Sequence, residues 1–142
     1  MSLTFEMLQE EDIPQINEIS EWFTKCNYDQ IKKFLSEKQN IAIVAKLDSK
    51  VIGLIYGYSL TCFDNAKPQF FIYSVDIHNE YQDKGYGSRF VKYAVDWARD
   101  NGFCECFVIT DEGTPRACRV YEKAGMKHHA ADITRVYEIY YD

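Results

Sequence analysis

Long apolar runs are missing from this chain of 142 residues. Nothing in it approaches the ~20 consecutive apolar residues that span a bilayer. The N-terminal stretch MSLTFEMLQEED is acidic and lacks the apolar centre of a secretory leader. Basic clusters are missing as well: 16 Lys and Arg face 22 Asp and Glu, a net charge of −6. A polyanion such as nucleic acid is therefore a poor partner, and an acidic surface favours a cationic small molecule. The five cysteines are an odd number, and without a secretory leader they fit the reduced thiols of a cytoplasmic protein. No second Cys pair or matched His pair accompanies Cys104 and Cys106, which alternate along an expected strand and are read as packing. His128 and His129 are adjacent and would point to opposite faces of a strand, so no metal site is expected. Repeats, linkers and low-complexity stretches are also lacking.

What is present reads as one soluble domain over residues 1–142, with 46% hydrophobic and 27% charged residues and abundant aromatics. LTFEML (3–8) alternates like a strand. A helix is expected over EEDIPQINEISEWF, with Asp12 as N-cap, Pro14 in the first turn and Ile13, Ile16, Ile19 and Phe23 on its apolar face. A second helix covers 29–38. The β-branched runs NIAIVAKL and KVIGLIYGYSL, separated by Asp48-Ser49, signal a hairpin. A long strand follows at 69–78, then a helix of about four turns ended by Asn101-Gly102. A strand at 103–110, a short helix at 114–125 and a final strand DITRVYEIYY complete an α/β domain around a central sheet. The aromatic C-terminal RVYEIYYD is suited to pair across a homodimer interface.

The stretch YQDKGYGSRF carries the chemistry. Gly85 and Gly87 stand where a helix should gather good formers, and each costs about 1 kcal/mol relative to alanine. Strand, glycine turn and helix N-terminus together make an anion site: outward N–H groups, a positive dipole end and bare Cα atoms. The stretch is neither a dinucleotide fingerprint, since Phe90 replaces the third glycine, nor a P-loop, since no Lys-Ser/Thr follows.

Further on, ACRVYEKAGM places Tyr121 on a short helix just before a glycine stop. Together with Gln82, Asp83, Lys84, Gly85, Tyr86 and Gly87, which match R/Q-x-x-G-x-G/A, this order of elements resembles the GNAT superfamily of acetyl-CoA-dependent N-acetyltransferases. The resemblance implies the GNAT fold, a mixed, mostly antiparallel sheet flanked by helices. It implies that amides from Gln82 to Ser88 hold the coenzyme A pyrophosphate. It also implies that the strand end from Val75 through Ile77 to His78 bonds the pantetheine arm and the thioester carbonyl. Asn79 stands where the family often has Pro, and Thr114 where it often has Asn beside the pantetheine.

The reaction so implied is acetyl transfer to an amine. The Ile77 N–H would polarise the thioester carbonyl, and the Tyr121 phenol would protonate the leaving thiolate. Asp76, Asp111 and Glu112 are open candidates for taking a proton or attracting the cation. VITDEGTPRACRVYEKAGM is most similar to GNAT-type aminoglycoside 3-N-acetyltransferases, which implies that Asp111 and Glu112 meet a polycationic sugar. Two other readings stand beside this one. One is a GNAT-like module that binds coenzyme A without turnover; the other is an α/β domain holding a different phosphate ligand at Gly85 and Gly87.

Overall fold

A computed structural model of the chain describes residues 1–110, 113–129 and 136–141. Strands β1 (Leu3–Met7), β2 (Asn40–Leu47), β3 (Lys50–Leu60), β4 (Gln69–Ile77) and β5 (Glu105–Val108) form one sheet in the order β1-β2-β3-β4-β5. The first four are antiparallel, and β5 runs parallel to β4. Helices α1 (Tyr28–Ser36), α2 (Tyr86–Asp100) and α3 (Pro115–Lys123) flank the sheet. The mixed, mostly antiparallel α/β architecture expected from the sequence is the one observed.

Alternation along the strands builds two apolar layers. Ile41, Ile43 and Ala45 of β2 face α2 and meet Phe90, Val91 and Ala94. Ala42 and Val44 face the other way, against Leu8, Ile16, Ile19 and Phe23. A strand buried on both faces must be apolar at successive positions, which is why NIAIVAKL shows no polar alternation. Each fully buried Ile or Phe in these layers stabilises the fold by about 1.5–3 kcal/mol. The β2–β3 hairpin turns at Asp48 and Ser49, both left-handed (φ 49° and 73°), as a two-residue turn matched to strand twist requires.

One irregularity in β4 sets up everything that follows. Tyr56 pairs with Ser74, but Gly57 pairs with Ile72, so Tyr73 is an extra residue in the strand. Before this bulge the even residues Phe70 and Ile72 face α2; after it the odd residues Val75 and Ile77 do. Gly57 sits opposite the bulge, where a Cβ would lie 2.0 Å from the Phe71 carbonyl oxygen. Only glycine fits there.

The segment after β1 departs from expectation. Glu10–Glu18 and Glu21–Phe23 are 3₁₀ helices rather than one α-helix. Their bonds run three residues back, from Ile19 N–H to the Ile16 carbonyl (3.1 Å) and from Phe23 N–H to the Ser20 carbonyl (3.0 Å). Pro14 removes a donor from any α ladder, and Ile13, Ile16 and Ile19 recur every three residues, the period of the tighter helix. Asp12 is not the N-cap. It lies one turn in, buried, where its carboxylate accepts the Gln9 N–H (3.0 Å) and pairs with Lys46 (2.9 Å).

At the other end, Val136–Tyr141 are exposed and form no strand, and the rest of the expected last strand lies outside the described residues. His128 and His129 are on no strand either. Cys104 precedes β5 and is exposed, whereas Cys106 packs inward, its thiol pushed up to about 12 by burial and then by the Glu105 charge. Among the described residues no helix is long and apolar enough to cross a membrane.

Candidate active site

Strand β4 outlasts its neighbour. The last pair with β5 is Ile72 with Val108, while β4 continues to Ile77. Among the described residues no strand pairs with this remaining edge. The direction of its amides follows from alternation: His78 N–H donates to the Ile52 carbonyl of β3 (2.8 Å), so Ile77 and Val75 turn their N–H groups away from β3. The Ile77 carbonyl confirms the direction, accepting Gln82 Nε2 on the open side at 2.9 Å.

A cavity of about 490 Å³ opens along this edge. Val75 and Ile77 form one wall, the α2 N-terminus another, and α3 the third. Gly85 is the N-cap of α2, left-handed at φ 81°, and offers no side chain to the first helical amides. Those N–H groups keep their positive end toward the cavity. Nothing lies within 4 Å of a Cβ built on Gly85, so backbone conformation is what requires glycine there. Gly87 is different: a Cβ would rest 3.5 Å from Val120, an ordinary contact. The protein's own packing does not demand glycine at 87, but Gly87 lines the cavity.

Helix α3 contributes a row of cations that sequence reading missed. Arg116, Arg119 and Lys123 recur at helical spacing along PRACRVYEK and line the cavity with Tyr121. The Arg116 guanidinium donates to Gln82 Oε1 (2.7 Å) and pairs with Asp83 (3.4 Å), tying α3 to the glycine loop. An acidic chain has thus gathered positive charge at one place. The signal was available as three cations at i, i+3 and i+7 spacing on the helix that carries Tyr121.

The position of Tyr121 is set by how α3 ends. Met126 N–H donates to the Tyr121 carbonyl (3.0 Å) and Gly125 N–H to the Glu122 carbonyl (3.0 Å), with Gly125 at φ 95°. This is the paired closure that a left-handed glycine after a helix makes possible. The YEKAGM spacing therefore anchors the tyrosine. Burial raises its phenol above the ordinary value of 10, helped by the charges of Asp76 and Cys118, so the hydroxyl keeps its proton at neutral pH.

Of the residues singled out from the sequence, Val75, Ile77, Gln82, Asp83, Gly85, Gly87, Ser88, Thr114 and Tyr121 line this one cavity. Lys84, Tyr86 and His78 do not, and the His78 N–H is already used by β3. Asp111 and Glu112 lie outside the described residues.

Asp76 is on the opposite face of the sheet, a consequence of the bulge. It lines a second cavity of about 530 Å³ between the sheet, the 3₁₀ segments and α1. Its carboxylate accepts the Ser74 hydroxyl (2.5 Å), and burial outweighs that bond to raise its pKa. Tyr56 beside it is pushed up to about 12, first by burial and then by the charges of Tyr58, Tyr73 and Asp76.

Amide donors at an unpaired strand edge, an uncapped helix end, cations and a protonated phenol suit a ligand with phosphates at one end and a polar acyl group at the other. The sequence profile of the acetyltransferase (GNAT) family matches residues 5–126. An aminoglycoside acetyltransferase from an uncultured soil metagenomic sample, solved with sisomicin, superposes with a TM-score of 0.77 at 23% identity, covering 99% of this chain and 95% of that one. A ribosomal-protein-alanine N-acetyltransferase from Brucella melitensis superposes at 0.79 with 14% identity over 99% and 100% of the two chains. An aminoglycoside N-acetyltransferase in complex with CoA gives 0.77 at 11% identity over 97% and 96%. No curated protein sequence matches the chain. With the family profile spanning most of its length, this chain belongs to the acetyltransferase (GNAT) family.

Proposed function

We propose that the protein moves the acetyl group of acetyl-CoA directly to a primary amine of a small cationic acceptor. The observation that carries this reading is the convergence of the free β4 edge, the uncapped α2 N-terminus and Tyr121 on one cavity. Acetyl-CoA supplies an activated acyl carbon and a thiol leaving group. The first amides of α2, with Arg116, Arg119 and Lys123, offer donors and charge to its phosphates. The Ile77 N–H is the donor for the acyl oxygen as negative charge develops there. As the amine nitrogen bonds to the acyl carbon and the carbon–sulfur bond breaks, the Tyr121 hydroxyl gives a proton to sulfur. The acceptor attacks as the neutral amine, its ammonium proton having passed to solvent; on bonding it gives up one further proton, which the Asp76 carboxylate is the candidate to receive through solvent. That proton and the one lost by Tyr121 re-equilibrate through solvent, so the products are the acetamide and free coenzyme A, with one proton released for each ammonium acetylated.

Aminoglycosides are one set of acceptors within this class, favoured by the resemblance around Asp111 and by the sisomicin complex of a protein similar in fold. The deciding experiment mixes the protein with acetyl-CoA and a panel of amines and follows free coenzyme A with a thiol reagent. Amine-dependent thiol release is expected. Acetyl-CoA binding with no release for any amine would mark a coenzyme A-binding module instead.

A further inference from the structure

The second cavity has a composition unlike the first. Its rings form a connected set: Phe34 meets Tyr56 edge-on at 5.7 Å and Tyr58 at 5.8 Å, and Phe23 meets Tyr56 at 6.4 Å. Trp22, 79% exposed, stands at its rim. Among the described lining residues one carboxylate is present, Asp76, on the β4 floor. Among the described residues only the Ser74 hydroxyl supports it, and no Lys, Arg or His faces it. A half-desolvated carboxylate ringed by aromatics lacks a cation, and an ammonium group supplies one, gaining both the ion pair and the ring faces.

We propose that this cavity is the acceptor site and that its acceptor is a monoamine with a planar apolar body, an arylalkylamine in chemical class. This rests on the transferase reading above and narrows its acceptor. Ser74 and Asp76 alternate along β4 with Val75 and Ile77, so the two cavities open on opposite faces of one strand segment, the segment whose outer edge pairs with no strand among the described residues. The lining explains the selectivity. An ammonium finds Asp76, the one carboxylate among the described lining residues, and a flat ring finds Tyr56, Tyr58 and Phe34. A polycationic amino sugar would leave further ammonium and hydroxyl groups against apolar walls such as Ile31 and Leu54, a desolvation cost without compensating bonds.

The test uses the full chain with 2-phenylethylamine, ethylamine and sisomicin as acceptors, read by thiol release, and with 2-phenylethylamine binding read by calorimetry. The expected result is a kcat/KM for 2-phenylethylamine at least about tenfold above that for ethylamine or sisomicin. A Tyr58→Ala variant should raise the 2-phenylethylamine KM about tenfold and leave the acetyl-CoA KM unchanged. If Tyr58→Ala fails to fold, Asp76→Asn binding of 2-phenylethylamine replaces it, with weaker binding expected. Sisomicin turning over best would overturn the arylalkylamine assignment and leave the transferase reading intact. Binding of 2-phenylethylamine that Asp76→Asn abolishes, with no thiol release for any amine, would uphold the cavity assignment and overturn the transferase reading. Neither binding nor turnover of 2-phenylethylamine would overturn the inference.

Discussion

Replacing Tyr121 by phenylalanine removes one oxygen and leaves the rest of its setting in place. The anchor to Met126 runs through the Tyr121 carbonyl, so the α3 closure is unaffected. The ring keeps its contacts with the α2-side core. Unfolding free energy should therefore stay within about 0.5 kcal/mol of the parent. The chemistry should not. A phenol above its ordinary 10 is a weaker acid than a thiol near 8.5, so complete transfer to sulfur is uphill by at least about 2 kcal/mol. That is small beside the ~16 kcal/mol barrier of a reaction turning over about ten times per second, so the proton is usable. Its loss should lower kcat about 100-fold, about 2.7 kcal/mol of barrier, with acetyl-CoA affinity nearly unchanged. Single-turnover kinetics is the proper assay, because slow product release would mask the effect. On the alkaline side the parent should lose activity as pH passes the raised phenol value, and the variant should lack that limb. A variant kcat within a factor of about two of the parent would return Tyr121 to a packing role.

Three other perturbations separate cofactor binding, fold and charge. Gly87→Val should weaken acetyl-CoA binding at least about tenfold, about 1.4 kcal/mol, while melting close to the parent, because Val120 leaves room for a Cβ; unchanged affinity by calorimetry would refute the assignment of the glycine loop. Gly57→Ala should cost about 3 kcal/mol in urea unfolding, since the Phe71 carbonyl cannot yield without breaking β3 from β4; a loss below about 0.5 kcal/mol would contradict the bulge geometry. Asp76 has a raised pKa, so the folded state holds its proton more tightly than the unfolded chain and stability falls as pH rises above about 3.8. Asp76→Asn should accordingly melt at or above the parent at pH 7, with the gap closing as pH is lowered toward 4; thermal melts across that window check the sign.

Local signals were legible where one physical term dominated. The β2–β3 hairpin declared itself because two β-branched runs flank a two-residue turn. The YEKAGM closure was visible because a left-handed C-terminus needs glycine. The first helix was misread because an apolar repeat of three is compatible with either helix type until Pro14 removes a ladder donor. Asp76 was read beside Val75 and Ile77, yet the extra residue at Tyr73 is part of what decides which face each side chain takes. A bulge has no composition of its own, so strict alternation could not reveal it. The aromatic cavity was hidden for another reason: it draws on Leu8 after β1, the 3₁₀ segments, α1, β2, β3 and β4, and no local window contains them all.

The two cavities share no lining residue among those described, although both use consecutive positions of one strand. Substitutions far apart and without common partners act additively on free energy. Changes in Phe34, Tyr58 or Trp22 can therefore alter one ligand's fit while Arg119, Gly87 and the α2 N-terminus keep theirs. A lineage built on this sheet can exchange one half of its chemistry and retain the other, with β4 as the part that must stay constant.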